Sequence, residues 1–303
     1  MLGAILGLGS AAAFGLNPIV VRRGTLRISS RYIAAVSIFT GPFFFLLIAA
    51  LNGEIAGITR FPWQAYGFFA LAGIIHFALG RNCGFRAVQL IGSNRSSIIT
   101  GFNFIVSITL AMMVLKETIT PLGLLGILFA LTGPLLIAVK EPVVSSNAAS
   151  DRIQLDRRTM YKGMLYAVGA AIFWGCSPVF IKLGLQTGAT PLAGSFIAYL
   201  AASIVISPSV WLSTEYRREM FSADSGSLRL ALLSGLTLNV AQMLRYLALA
   251  FTSVIVLSFM GQTRHLWVLL FSFIFNRKLE SFSRWVMLGN AFMIIGVILI
   301  LIP

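Results

Sequence analysis

Acidic residues are scarce in this chain. Its 303 residues include nine Asp and Glu against 23 Lys and Arg, a net charge of +14. The nine are Glu54, Glu117, Glu141, Asp151, Asp156, Glu215, Glu219, Asp224 and Glu280, and none falls in the middle of an apolar run. A proton antiporter for cationic drugs usually needs a central membrane carboxylate that binds cation and proton in competition, so that class is disfavoured. Cysteine is scarcer still: Cys83 and Cys176 stand far apart inside apolar segments, giving neither a disulfide framework nor a metal-ligand spacing. The sequence has no HExxH, no GxSxG, no paired intramembrane aspartates and no suggestive Cys/His dyad, which speaks against an intramembrane enzyme. There is no GxxxxGK[ST] either, so nothing in the chain provides for ATP hydrolysis, and no metal or cofactor is expected.

Charge of any sign is thin. Only 11% of residues are charged, where a soluble globule has roughly a quarter, while 58% are hydrophobic and the mean hydropathy is +0.90. An integral membrane protein is expected, embedded in a lipid bilayer. The basic residues are scattered over short loops between apolar runs, the pattern of topology signals; a nucleic-acid partner is not expected. The amino-terminal run lacks a basic leader region and an evident small-residue cleavage site, so it reads as a retained helix.

What the chain does have is a repeat. Gly3, Gly9, Gly15, Pro18 and Gly24 recur 160 positions on as Gly163, Gly169, Gly175, Pro178 and Gly184, and Glu117, Gly126 and Gly133 recur 163 positions on as Glu280, Gly289 and Gly296. Spans of about 20 apolar residues can be drawn at 2–21, 33–51, 64–88, 93–115, 121–139, 162–181, 191–213, 228–249, 253–275 and 284–302. The expected fold is therefore all-α integral membrane: ten transmembrane helices as two inverted five-helix repeats, 1–139 and 162–303, joined by a basic linker at 140–161. An odd number of helices per half inverts the second copy relative to the first, and alternating access follows from that inversion. The positive-inside rule places the odd-numbered loops, with Arg22, Arg23, Arg157, Arg158, Arg277 and Lys278 among their residues, in the cytoplasm and both termini outside.

The motifs Phe14-Gly15-Leu16-Asn17-Pro18 and Trp174-Gly175-Cys176-Ser177-Pro178, each with a basic residue four positions after the proline (Arg22, Lys182), resemble the EamA domain of the drug/metabolite transporter superfamily. Tyr246-Leu247-Ala248-Leu249-Ala250, Leu279-Glu280, Gly289 and Gly296 are similar to the closing helices of that domain, with Phe85-Arg86-Ala87-Val88, Lys116-Glu117, Gly126 and Gly133 as the first-half version. The resemblance implies a secondary transporter with both termini in the cytoplasm, against the charge count, and the orientation stays open. It also leaves the oligomeric state open. The plasma (inner) membrane is the expected location.

Charged side chains in the bilayer core cost about 2.5–3.5 kcal/mol on insertion scales and so face cavities or partners; here they are basic. Arg81, Arg245 and Arg264 are candidates to hold an anionic group, with His76 and His265 nearby in sequence. Asn239, Gln242 and Tyr246 follow i, i+3, i+7 and fall on one helix face. Asn17, Asn103 and Ser177 add hydrogen-bonding groups, and Trp174 and Tyr246 apolar walls. Pro18 and Pro178 interrupt the helical hydrogen-bond ladder and are candidate hinges. Glu117 and Glu280 sit at helix ends beside Lys116 and Lys278, where a loop salt bridge or a cap on the following helix is expected. These features point to an exporter of a small organic metabolite, an amino acid or organic acid, with a flippase for a phosphorylated lipid as the alternative and an intramembrane enzyme a weaker one.

Overall fold

The structure, a computed structural model, describes residues 2–24, 29–140, 157–275 and 284–301, and all of its regular elements are helical. In chain order these are α1 (Leu2–Gly24), α2 (Ser30–Leu51), the single turn α3 (Ile55–Ile58), α4 (Trp63–Gly73), a π-helical stretch (Ile74–Gly80), α5 (Arg81–Gly101), α6 (Asn103–Val114) and α7 (Pro121–Lys140). The second half gives α8 (Arg157–Gln186), α9 (Pro191–Leu212), α10 (Thr214–Ser222), α11 (Ser225–Phe251), α12 (Val254–Gln262), α13 (Arg264–Phe275) and α14 (Arg284–Leu301). The ten expected membrane helices are present as α1, α2, α4 with the π stretch and the start of α5, the end of α5 with α6, α7, α8, α9, α11, α12 with α13, and α14, although the gap expected at 89–92 lies inside the unbroken α5. Most of the linker, 141–156, and the turn holding Glu280, 276–283, lie outside the described residues.

Helix ends follow local chemistry. Ser29 accepts from the Tyr32 N–H to open α2, and Asp224 accepts from Gly226 and Ser227 to open α11. Pro191 occupies the first turn of α9, where its missing N–H costs nothing. Gly53 and Gly188, at φ +71 and +88, make the turns after α2 and α8 in a region that side chains avoid.

The duplication seen in the sequence is repeated in the packing. Helix α1 lies along α11 and crosses α13, while α8 lies along α5 and crosses α6; α7 pairs with α14. Gly15 and Gly175, equivalent in the repeat, mark the two crossings. A Cβ on Gly15 would stand 2.6 Å from the Trp267 Cβ, and one on Gly175 would stand 2.5 Å from the Val106 Cβ and 2.6 Å from the Asn103 carbonyl oxygen. Only glycine permits backbones this close.

Two of the expected spans, 93–115 and 253–275, are each broken, at Phe102 and Thr263. The breaks are related by the repeat. Phe102 N–H donates to Ile99 O at 3.2 Å and Ile105 N–H to Phe102 O at 3.0 Å; Thr263 N–H donates to Met260 O at 3.1 Å and Leu266 N–H to Thr263 O at 2.9 Å. Each is a tight i to i−3 turn inserted between helical pieces. The prolines behave otherwise. Helix α8 runs unbroken through Pro178 and α1 through position 18, whose side chain lies outside the described residues. Membrane helices absorb such a proline by re-satisfying the freed carbonyl locally.

The core is aromatic. Phe45, Phe69, Phe77, Tyr199 and Tyr246 are all buried, with Phe77 and Tyr199 ring centroids 4.0 Å apart. Tyr199 reaches this position because Gly41 of α2 leaves room: a Cβ there would fall 2.0 Å from the tyrosine ring. Gly73 lets α4 touch α9, its Cβ position being 2.0 Å from the Ala198 oxygen.

Candidate functional site

Three arginines converge on the aromatic core from different helices. Arg81 opens α5 directly after the π stretch, Arg245 lies on the inward face of α11, and Arg264 opens α13 directly after the Thr263 break. Arg81 is buried, donates to the Ser37 hydroxyl of α2 and stands 5.2 Å from the Phe77 ring centroid. Arg245 lies within electrostatic range of Arg264, Tyr246 and Tyr199, and Tyr199 within range of both Arg81 and Arg245. The Tyr199 hydroxyl is buried without a well-formed hydrogen bond. Asn239, Gln242 and Tyr246, the i, i+3, i+7 set, are each about 1% exposed, so this face of α11 turns wholly inward.

His76 sits at the centre of this group. It is carried by the π stretch Ile74–Gly80, whose wider turn belongs to neither flanking helix. Its Nε2 is 3.0 Å from Gln242 Nε2, its carbonyl accepts from Trp174 Nε1 at 3.1 Å, and both Arg245 and Arg81 lie within electrostatic range. Its Nδ1 is buried and has no hydrogen-bond partner among the described residues. The space beside Arg81, bordered by Ala34, Ile38, Phe77, Asn82 and Ile206, is about 20 Å³, room for one water, so the guanidinium is closed in within this conformation.

The carboxylates among the described residues are spent elsewhere. Asp224 caps α11 and Glu54 accepts from Thr190. Glu117 differs from the expected cap on the following helix: its Oε1 accepts from Val254 N–H at 2.8 Å and its Oε2 from Ile255 N–H at 2.9 Å, so it caps α12 in the other half of the molecule. Lys182 of α8 binds the same turn, donating to the Leu249 and Thr252 carbonyls at 2.8 and 2.9 Å. A first-half anion and a second-half cation thus hold the α11–α12 corner together. Lys116, beside Glu117, is exposed at φ +55 and takes no part in these bonds.

The remaining sequence candidates fall on the seams around the centre. Asn17 donates to Ser234 O (3.1 Å), Ser234 Oγ (2.8 Å) and Thr237 Oγ1 (3.0 Å), which commits its amide nitrogen to joining α1 to α11. Asn239 donates to Thr40 Oγ1 at 3.4 Å, joining α11 to α2, and its Oδ1 is buried without a partner. Trp174 lies in a slot opened by Gly80 and Gly84, whose Cβ positions would each be 2.6 Å from the indole. Ser177 is buried on α8. Asn103 is half-buried beyond the Phe102 break, its carbonyl against Gly175. The His265 side chain lies outside the described residues.

Sequence reasoning left Tyr199 and Ser37 out of the site. Each is one of several scattered hydroxyl residues in a mostly apolar helix, with no spacing to mark it. The available signal for Tyr199 was its glycine partner Gly41, legible only once α2 and α9 are known to touch.

Comparison with known proteins agrees with this architecture. No relative is found among curated proteins at the sequence level. One crystal structure of a protein 13% identical in sequence matches with a TM-score of 0.77 over 99% of this chain and 96% of its own, a likeness of fold. The model of the EamA-like transporter family matches twice, over residues 1–139 and 161–302, once on each five-helix half. Ten membrane helices, two inverted copies and a double match over almost the whole length place the chain in the EamA-like transporter family.

Proposed function

We infer that the protein moves a small organic anion or zwitterion, an organic acid or amino acid, across the plasma membrane by alternating access, with export as its working direction. The observation that carries this reading is that Arg81 and Arg245 both lie within electrostatic range of Tyr199 and His76, and Arg264 within range of Arg245, while Glu54, Glu117 and Asp224 are engaged at helix ends. Arg81 is buried and Arg245 and Arg264 are half-buried, with no carboxylate beside them among the described residues; cations so placed are costly, and a carboxylate or phosphate of the cargo relieves that cost when it binds. Guanidinium groups suit this role because their planar fork of donors matches such oxyanions. Tyr199, Tyr246 and Gln242 supply hydrogen-bonding groups next to the arginines, Trp174 an apolar wall, and Asn17, Asn103, Ser177 and Asn239 polar groups on the surrounding seams.

Movement would be carried by the paired breaks at Phe102 and Thr263 together with the candidate hinges Pro18 and Pro178. Arg264 directly follows one break and Asn103 the other, so rotation of either half-helix changes what faces the centre. Such interrupted helices at pseudo-symmetric positions are where transporters of this build coordinate cargo. Uptake into proteoliposomes of labelled amino acids and organic acids tests the reading. Saturable flux that is lost in Arg245→Gln, with insertion intact, supports the anion clamp; unchanged flux in both Arg245→Gln and Arg264→Gln refutes it.

A further inference from the structure

We propose that His76 is a proton-binding site linked to the anion site, so that the protein takes up one proton together with each anion. The inference rests on the anion-clamp reading and adds a second, co-transported ligand to it.

The geometry around the imidazole carries the argument. The hydrogen bond between Nε2 and the Gln242 amide has two arrangements, and each leaves Nδ1 alone. If the Gln242 nitrogen donates, Nε2 accepts and the Nδ1 proton has no acceptor. If the amide is turned, Nε2–H donates to its oxygen and Nδ1 keeps a free lone pair. The second arrangement is a ready proton acceptor: a proton added to Nδ1 gives an imidazolium whose Nε2–H is already bonded to Gln242. What that state lacks is negative charge.

The surrounding groups account for that deficit. From α5 comes Arg81, and from α11 come Arg245 and Tyr246. Tyr199 faces the cluster from α9, and α8 presents the Trp174 indole, its ring centroid 6.3 Å from that of the imidazole. Phe77, on the same π stretch, packs edge-on at 4.9 Å. The charged groups in this set are cations, so the empty site resists a further positive charge. An anion between the arginines reverses the local balance and admits the proton. Anion and proton therefore favour each other's binding, and by thermodynamic reciprocity each raises the affinity of the other. Proton and anion then cross in the same direction, and net flux follows the steeper of the two gradients. A histidine serves this role because it is the side chain that exchanges a proton within the physiological range, and no central carboxylate competes for it in the sequence.

The test is isothermal titration of the purified full-length protein at pH 6.5 with succinate, L-glutamate and inorganic phosphate, each in buffers of different ionisation enthalpy. The dependence of the heat on buffer gives the number of protons taken up per anion bound. About one proton per anion is expected in wild type and close to none in His76→Gln, with Lys116→Gln, at an exposed site outside the core, retaining uptake. Anion binding with no buffer dependence in wild type overturns the proposal while leaving the clamp intact. Uptake that persists in His76→Gln assigns the proton elsewhere and overturns it too. Should His76→Gln fail to fold, His76→Asn, which keeps a polar side chain of similar reach, takes its place with the same expected loss. Absence of binding by all three anions overturns the clamp reading itself, and the proton site with it.

Discussion

The corner between α11 and α12 is held by a carboxylate from the opposite half, and Glu117→Gln isolates what that carboxylate contributes. Both Glu117 oxygens accept backbone N–H groups, from Val254 at 2.8 Å and Ile255 at 2.9 Å, while Ser253 Oγ accepts the next, from Val256, at 3.1 Å. These are three of the four orphan donors at a helix start. A hydrogen bond to a charged acceptor contributes about 1.5–3 kcal/mol, and a neutral one about 1. Glutamine keeps one oxygen, turns an N–H group toward the second donor and gives up the charge at the positive end of the helix. The net loss is about 2–3 kcal/mol, which at 1.4 kcal/mol per factor of ten is roughly a 30- to 100-fold rise in local opening. Hydrogen exchange read by mass spectrometry on peptides spanning 250–258 reports it directly. The Val254 and Ile255 amides should lose protection by that factor in Glu117→Gln and keep it in Lys116→Gln, whose side chain is exposed. Wild-type protection in Glu117→Gln would show that the cross-half cap contributes nothing.

Lys182→Met removes the donors to Leu249 and Thr252 and is expected to loosen the same corner, read as faster exchange in the same peptides. Gly73→Ala places a methyl group 2.0 Å from the Ala198 oxygen and should destabilise by about 1–3 kcal/mol through overpacking. Gly67→Ala, with nothing within 4 Å of its Cβ position, should leave the melting temperature within error, and equal melting temperatures for the two variants would refute the α4–α9 contact. Asn17→Ala breaks the ties to Ser234 and Thr237 and should cost about 0.6–1.7 kcal/mol, the range for interhelical polar contacts in membranes, measured by thermal unfolding in detergent.

The ten membrane helices and the duplication were legible because both rest on one-dimensional signals: apolar length, and glycine and proline punctuation. The helix breaks were not read, although a signal was present. Gly101 and Gly261, related by the same 160-residue offset, stand just before Phe102 and Thr263. Glycine in an apolar helix reads equally well as a close-packing residue, and here neither Gly101 nor Gly261 has an atom within 4 Å of its Cβ position. The prolines drew attention instead, yet α8 continues through Pro178. Within the site, the inward face of α11 followed from its own spacing, since i, i+3, i+7 needs no partner to be seen. The partners of that face did not follow. Gln242 meets His76 from 166 positions away and Asn239 meets Thr40 from 199, and only the packing of α11 against α2 and the π stretch brings them into contact. Glu117 shows the same limit: its chemistry as a helix cap was readable, but the helix it caps lies 137 positions on.

On the proposed alternating-access reading, the mirrored crossings at Gly15 and Gly175 bear on how the molecule would divide its time between its two faces. In an inverted repeat, exchanging the conformations of the two halves converts one open form into the other, so identical copies would make the two forms equal in energy and leave the molecule without a resting preference. At these crossings the copies differ: Gly15 abuts the Cβ of a tryptophan, Trp267, where Gly175 abuts that of a valine, Val106. Under the proposed mechanism such mismatches are a source of bias toward one face, and trading the two side chains, Trp267→Val with Val106→Trp, tests this pair: an unchanged ratio of the two open forms would refute its part in that bias.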